Sequence, residues 1–203
     1  LLFPLIFGGI AMFSERAYLL AYLDVNAAVN AGFFSSGLQH YQQFGQFEEN
    51  RFGFFLGTNA NDNIIGFGNN KIIAGLGLDV LVNGSTVAGV GQIDTLIGSP
   101  GRDFFLLGHP TLSLLAPTPQ QFYVGGGNTD YALIQNFQQS SDMIVLEGVP
   151  ENYTSQVVNG SLNISTSSGD LVGIVEGVTS LTKVVGNPDI LPIPINGQFS
   201  IFL

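Results

Sequence analysis

The sequence predicts a mainly β chain with a small helical module first, a short repetitive coil in the middle and antiparallel strands last. Three observations predict it. Apolar residues recur at three or four positions across residues 14–50. Gly, Asn and Asp recur with a period of about nine residues across 53–108. Short β-rich runs alternate with turn signals across 122–203.

The opening LLFPLIFGGIAMF, residues 1–13, is broken by Pro4, Gly8 and Gly9. It is shorter than the ~20 residues of a spanning helix and lacks the basic start of a signal peptide. It is expected to form a strand or a buried segment. In the helical module, residues 14–52, Ser14 is placed to cap a helix from Glu15, and Asp24 to cap a second, which Gly32 ends. Ser35 or Ser36 opens a third helix, with Gly45 just past its end. Phe13, Tyr18, Tyr22, Val25, Val29 and Phe33 are expected to form its buried face. After the repetitive segment, the prolines of residues 109–121 mark a connection. The last segment, residues 122–203, reads as antiparallel strands at YALIQNF, DMIVLEG, SQVV, SLNIS, LVGIVEGV and QFSIFL. Asn159-Gly160 between SQVV and SLNIS is a two-residue hairpin signal.

Composition narrows the function. Fifteen acids against five bases give a net charge of −10. That argues against nucleic acid as a partner and suits a protein whose carboxylates meet cations. With no Cys, neither disulfides nor a thiolate zinc site is available. No segment is long and apolar enough to be read as a membrane-spanning helix. No catalytic motif stands out. His40 lies among aromatics, His109 precedes a proline, and Gly125-Gly126-Gly127 lacks the Lys-Ser/Thr of a phosphate loop. The chain is therefore read as non-enzymatic.

Aligned on its acids, the middle segment gives five units. They carry Asp62, Asn70, Asp79, Asp94 and Asp103, each followed two residues later by a bulky apolar residue: Ile64, Ile72, Leu81, Leu96 and Phe105. The third unit, Ala74-Gly75-Leu76-Gly77-Leu78-Asp79-Val80-Leu81-Val82, is the most regular. Glycines form tight turns that expose backbone carbonyls, and aspartates supply carboxylates. Oxygen-only ligation suits a hard cation such as Ca²⁺.

These units resemble the glycine-rich nonapeptide of the RTX, or hemolysin-type, calcium-binding proteins. The resemblance implies a short parallel β-roll in which one turn of coil takes two units, and the apolar residue points away from the ion. It places Asp62, Asp79 and Asp103 on one side and Asn70 and Asp94 on the other, with a loop near 83–88 absorbing the longer spacing from Asp79 to Asp103. The implied ligand set is Asp62, Asp79, Asp94 and Asp103, with Asn61, Asn70, Gly75 and Gly77. Lys71 and Arg102 stand beside ligand positions, and most Gly-Gly pairs are lost. A coil whose Asp and Asn residues only satisfy turn amides stays open as the alternative.

The flanks extend the resemblance. Tyr18-Leu19, Asp24-Val25, Gly32-x-Phe34-x-Ser36-Gly37, His40-Tyr41 and Phe44-Gly45 look like a module found beside such repeats in cyanobacterial secreted proteins. Asp130-Tyr131-Ala132, Asp142-x-Ile144-x-Leu146-x-Gly148 and Gly173-Ile174-Val175-x-Gly177 resemble the β cap that follows them. The resemblance implies secretion, calcium as the cofactor and folding on meeting extracellular calcium. The expected function is an extracellular calcium-binding structural protein, self-assembling into a homo-oligomer, filament, sheath or matrix. Two alternatives stay open: the C-terminal export and folding module of a larger secreted enzyme or toxin, and a small accessory subunit of a membrane-associated complex.

Overall fold

Two serines open two of the three helices. Ser14 accepts a hydrogen bond from the Ala17 amide at the start of α1, Glu15–Ala21, and Ser36 accepts from Gln39 at the start of α3, Gly37–Gln43. Between them α2 spans Leu23–Asn30 and ends as expected ahead of Gly32, whose φ of +80° turns the chain. The computed structural model describes residues 9–10, 12–48, 51–56, 62–65, 71–74, 90–91, 93–98, 101–110, 119–187 and 197–203.

Two expectations for the module are corrected. Asp24 does not cap α2: the helix begins one residue earlier, with Tyr22 at its cap position, and the Asp24 carboxylate pairs with Arg51. Phe33 is 79 % exposed, because the turn at Gly32 ends the helical periodicity before it. Tyr18, Tyr22 and Val25 are buried as expected, and Phe13 and Val29 pack against the same core.

The chain is mainly β, with three short helices and mixed sheets. Two two-residue strands, β1 (Gly9–Ile10) and β2 (Met12–Phe13), precede the helices. After them the chain deals strands alternately to two seven-stranded sheets. β3 (Gly53–Leu56), β5 (Lys71–Ala74), β7 (Asp103–Leu106) and β11 (Met143–Glu147) lie side by side in parallel in one. In the other, β4 (Asp62–Ile65), β6 (Ile93–Ile97), β10 (Tyr131–Gln135) and β14 (Leu171–Val175) do the same. Two very short strands, β8 (Gly108–His109) and β9 (Gln120–Gln121), pair apart from both sheets.

Antiparallel strands close each sheet. β12 (Tyr153–Val158) and β13 (Ser161–Thr166) extend the sheet that ends in β14, while β15 (Lys183–Val185) and β16 (Phe199–Phe202) extend the one that ends in β11. The hairpin between β12 and β13 turns at Asn159-Gly160, with φ of +51° and +80°, the signs that a primed two-residue turn demands. YALIQNF and DMIVLEG were expected among antiparallel strands. Their strands β10 and β11 instead pair in parallel with β6 and β7. Alternation along a strand marks its buried face but not the direction of its neighbour.

Buried residues of both sheets join one apolar cluster, including Leu96, Ile134, Ile164 and Val175 from one and Phe54, Phe105, Ile144 and Ile201 from the other. Burying each such side chain contributes about 2 kcal/mol. The helical module joins that cluster through Ala17, Tyr18, Tyr22, Val25 and Tyr41.

Candidate metal centre

Of the ligand set that the repeat implies, Asn61, Asn70, Gly75, Gly77 and Asp79 lie outside the described residues. Asp62 opens β4, Asp94 is the second residue of β6, and Asp103 opens β7. Their grouping differs from the one the repeat period implies. Asn63 pairs with Thr95, so Asp62 and Asp94 hold equivalent backbone positions on neighbouring parallel strands. Lys71 pairs with Asp103. Asp62 therefore belongs with Asp94, not with Asp103. The reason is topological: β4 neighbours β6 and β5 neighbours β7 directly, so no strand between residues 74 and 93 separates either pair.

A second correction concerns side-chain direction. Asp94 and Leu96 are both fully buried, with partly exposed neighbours between and beyond them. Residues two apart on a strand share a face. The carboxylate and the apolar residue two positions later therefore point to the same side, because the strand already includes the aspartate.

The Asp94 carboxylate accepts a 2.6 Å hydrogen bond from the Tyr123 hydroxyl. Tyr123 is itself fully buried and has a φ of +57°, a left-handed conformation that few non-glycine residues adopt. Asp103 is buried beside a partner that sequence reasoning did not place in the site: its backbone N–H donates to Asp142 Oδ1 at 3.0 Å. Phe104 pairs with Met143, so Asp103 and Asp142 again hold equivalent positions on neighbouring parallel strands. Asp142 also accepts from the Gln138 amide at 2.8 Å and the Ser141 hydroxyl at 3.2 Å. Burial, opposed by these donors and reinforced by the nearby Asp103 charge, pushes the Asp142 carboxyl up to about 6.

Two further acids repeat the arrangement on the other sheet. Asp130, just before β10, accepts from the Gly91 amide at 2.9 Å. Asp170, just before β14, accepts from the Gly125 amide at 2.6 Å. In all three cases an aspartate at the start of a strand clasps a backbone amide at the start of, or just before, the parallel neighbour strand. The sequence signal was present: Asp103 and Asp142 are 39 residues apart, the same separation as Gly91 and Asp130. That interval exceeds the nonapeptide period. Among the described residues no group of three or more His, Asp or Glu side chains converges on one point.

Both histidines pack against aromatic rings, and the buried Nε2 of His109 has no hydrogen-bond partner among the described residues. His40 Nδ1 lies 2.9 Å from the Tyr18 hydroxyl and its ring packs edge-on against Phe34. His109 is fully buried, with Nδ1 2.8 Å from the Pro110 carbonyl and its ring edge-on to Phe122. Desolvation lowers both pKa values, which favours neutral rings. No helix of the described residues is long and apolar enough to cross a membrane. Comparison with protein-family models finds no match to the chain, and comparison with curated proteins finds none.

Proposed function

We propose that this chain is a calcium-stabilised structural protein of the cell exterior, with no catalytic activity, built as a short two-sheeted parallel coil of the RTX β-roll type. One observation carries the reading: acidic residues hold equivalent positions on neighbouring parallel strands, Asp62 beside Asp94 in one sheet and Asp103 beside Asp142 in the other. Neighbouring strands lie about 4.8 Å apart, and like charges directly opposite one another destabilise a sheet. A divalent cation with oxygen ligands turns that repulsion into ligation, and ligation of this kind couples to folding.

Among the described residues, the alternation of strands between two sheets supports the coil reading. The sheet edges support assembly. β12 is an edge strand of six residues without Pro or a charged side chain, and Val157 and Val158 on it are exposed. Edges without such guards accept strands from another chain. Secretion belongs to this proposal through the resemblance of the repeats.

A calcium titration followed by circular dichroism and light scattering tests the reading. Calcium is expected to increase β signal and thermal stability and to promote larger particles. A spectrum and particle size that stay constant from chelator to saturating calcium contradict it.

A further inference from the structure

We propose a second cation site outside the nonapeptide array, formed by Asp130 and Asp170 across the Gly125-Gly126 turn and selective for a hard divalent cation of the calcium class. Both acids stand at the entries of neighbouring parallel strands, β10 and β14. They meet adjacent glycines, Asp170 at Gly125 and Asp130 at Gly126. The Gly125 amide donates to Asp170 Oδ2. The Asp130 carboxylate lies flat against Gly126, so close that a Cβ at that position would fall 2.3–2.4 Å from both its oxygens and its carboxyl carbon. Gly126 is thus required by the approach of the carboxylate and not by its own φ.

Each carboxylate uses one oxygen and leaves the other over. Asp130 Oδ2 is held by the Gly91 amide and Asp170 Oδ2 by Gly125. Asp130 Oδ1 and Asp170 Oδ1 are both buried without a hydrogen-bond partner among the described residues. Asp130 as a whole is fully buried. A buried carboxylate oxygen without a donor is expensive, and two beside one turn are more so. Among the described residues the ion pairs are those of Arg51, and none reaches either carboxylate. Arg51 pairs with Asp24 and Glu48, Lys183 donates to the Tyr153 carbonyl, and Arg102 lies over the Phe104 ring. Two unpaired carboxylate oxygens on a glycine turn match the ligand chemistry of Ca²⁺, which takes oxygens in flexible geometry, better than that of Mg²⁺, which demands a near-octahedral shell.

The site stands on atoms separate from the array, so it can fail alone. The test is a terbium titration of the full chain, with tyrosine-sensitised luminescence, calcium competition and bound-ion stoichiometry by dialysis. Asp170→Asn is the primary variant, since its amide oxygen still accepts from Gly125 and the residue is only half-buried. Asp130→Asn is the second, and circular dichroism checks its fold. The expected result is the loss of one calcium-displaceable ion per chain in either folded variant, with no loss of the ions removed by Asp62→Asn/Asp79→Asn. In the wild type, calcium is expected to increase hydrogen-exchange protection at the Gly91 and Gly125 amides. An unchanged ion count in Asp170→Asn, or unchanged protection in the wild type, overturns the proposal. An Asp62→Asn/Asp79→Asn double variant that keeps every ion counts against the array and leaves this site standing.

Discussion

The helical module and the paired sheets bury polar groups by different means. In the module the devices are rings, one cation and the Glu15 carboxylate, which accepts from the Gly37 and Leu38 amides. The Tyr22 hydroxyl accepts from the Phe52 amide at 2.6 Å, the Tyr18 hydroxyl meets His40, and Arg51 joins Asp24 and Glu48 while lying over the Tyr22 ring. In the sheets the devices are carboxylates that accept turn amides from the neighbouring strand's turn: Asp130, Asp142 and Asp170. The difference teaches where charge is neutralised. Asp24 and Glu48 have an arginine, while the sheet aspartates have amides, which satisfy hydrogen bonds but carry no formal charge. A cation dependence is expected where acids hold equivalent positions on neighbouring strands, as they do in the sheets and not in the module.

Substitutions that remove these devices sharpen the contrast. The largest effect is expected from Asp142→Ala, which strands the Asp103 and Gln138 amides, at a cost of about 3 kcal/mol in urea unfolding. A loss below about 1 kcal/mol contradicts the role given to this clasp. Tyr22→Phe strands one buried amide, at Phe52, and should cost about 2 kcal/mol. Arg51→Ala removes a half-exposed pair and a ring contact and should cost about 1 kcal/mol, less at high salt. Calcium should leave the Tyr22→Phe and Arg51→Ala losses unchanged while altering the Asp142→Ala loss.

A separate effect is in pH dependence. Asp142 has a raised pKa in the folded protein, so its contribution is most favourable when protonated, below the unfolded value near 4, and is lost as pH rises through about 6. His40 and His109 work the other way: their lowered values make stability fall as pH drops below about 6.5. The useful quantity is the stability difference between wild type and Asp142→Asn. It should shift in favour of the wild type as pH falls from about 7 to about 4. A difference that stays flat contradicts the raised value.

The module was legible where capping is local. Ser14 and Ser36 cap amides three residues on, and Gly32 and the Asn159-Gly160 hairpin follow from backbone preferences of the residues themselves. It was not legible where the partner is distant. Asp24 reads as a cap in sequence, but Arg51, 27 residues later, takes its carboxylate. Glu15 likewise reaches across to the Leu38 amide at 2.9 Å, at the start of α3.

The same divide runs through the sheets. Short β-rich runs between turn signals mark Tyr131–Gln135 and Met143–Glu147 as strands, yet parallel pairing with β6 and β7 depends on long connections whose closure no local pattern encodes. The nine-residue period located Asp62, Asp94 and Asp103. It grouped Asp62 with Asp103, whereas β4 lies beside β6 and β5 beside β7. Asp130, Asp142 and Asp170 lie beyond the nonapeptide segment, and the distant amides they hold stand 39 to 45 residues earlier, outside the reach of a nine-residue period.

Thermal unfolding of the wild type in chelator and in saturating calcium tests the central claim most directly. One occupied site at a hundredfold excess over Kd adds about 2.7 kcal/mol. For a chain of this size that raises Tm by about 5–10 °C per site, and magnesium at equal concentration should do less. A Tm identical in chelator, magnesium and calcium would show that the stacked aspartates serve the turn amides alone.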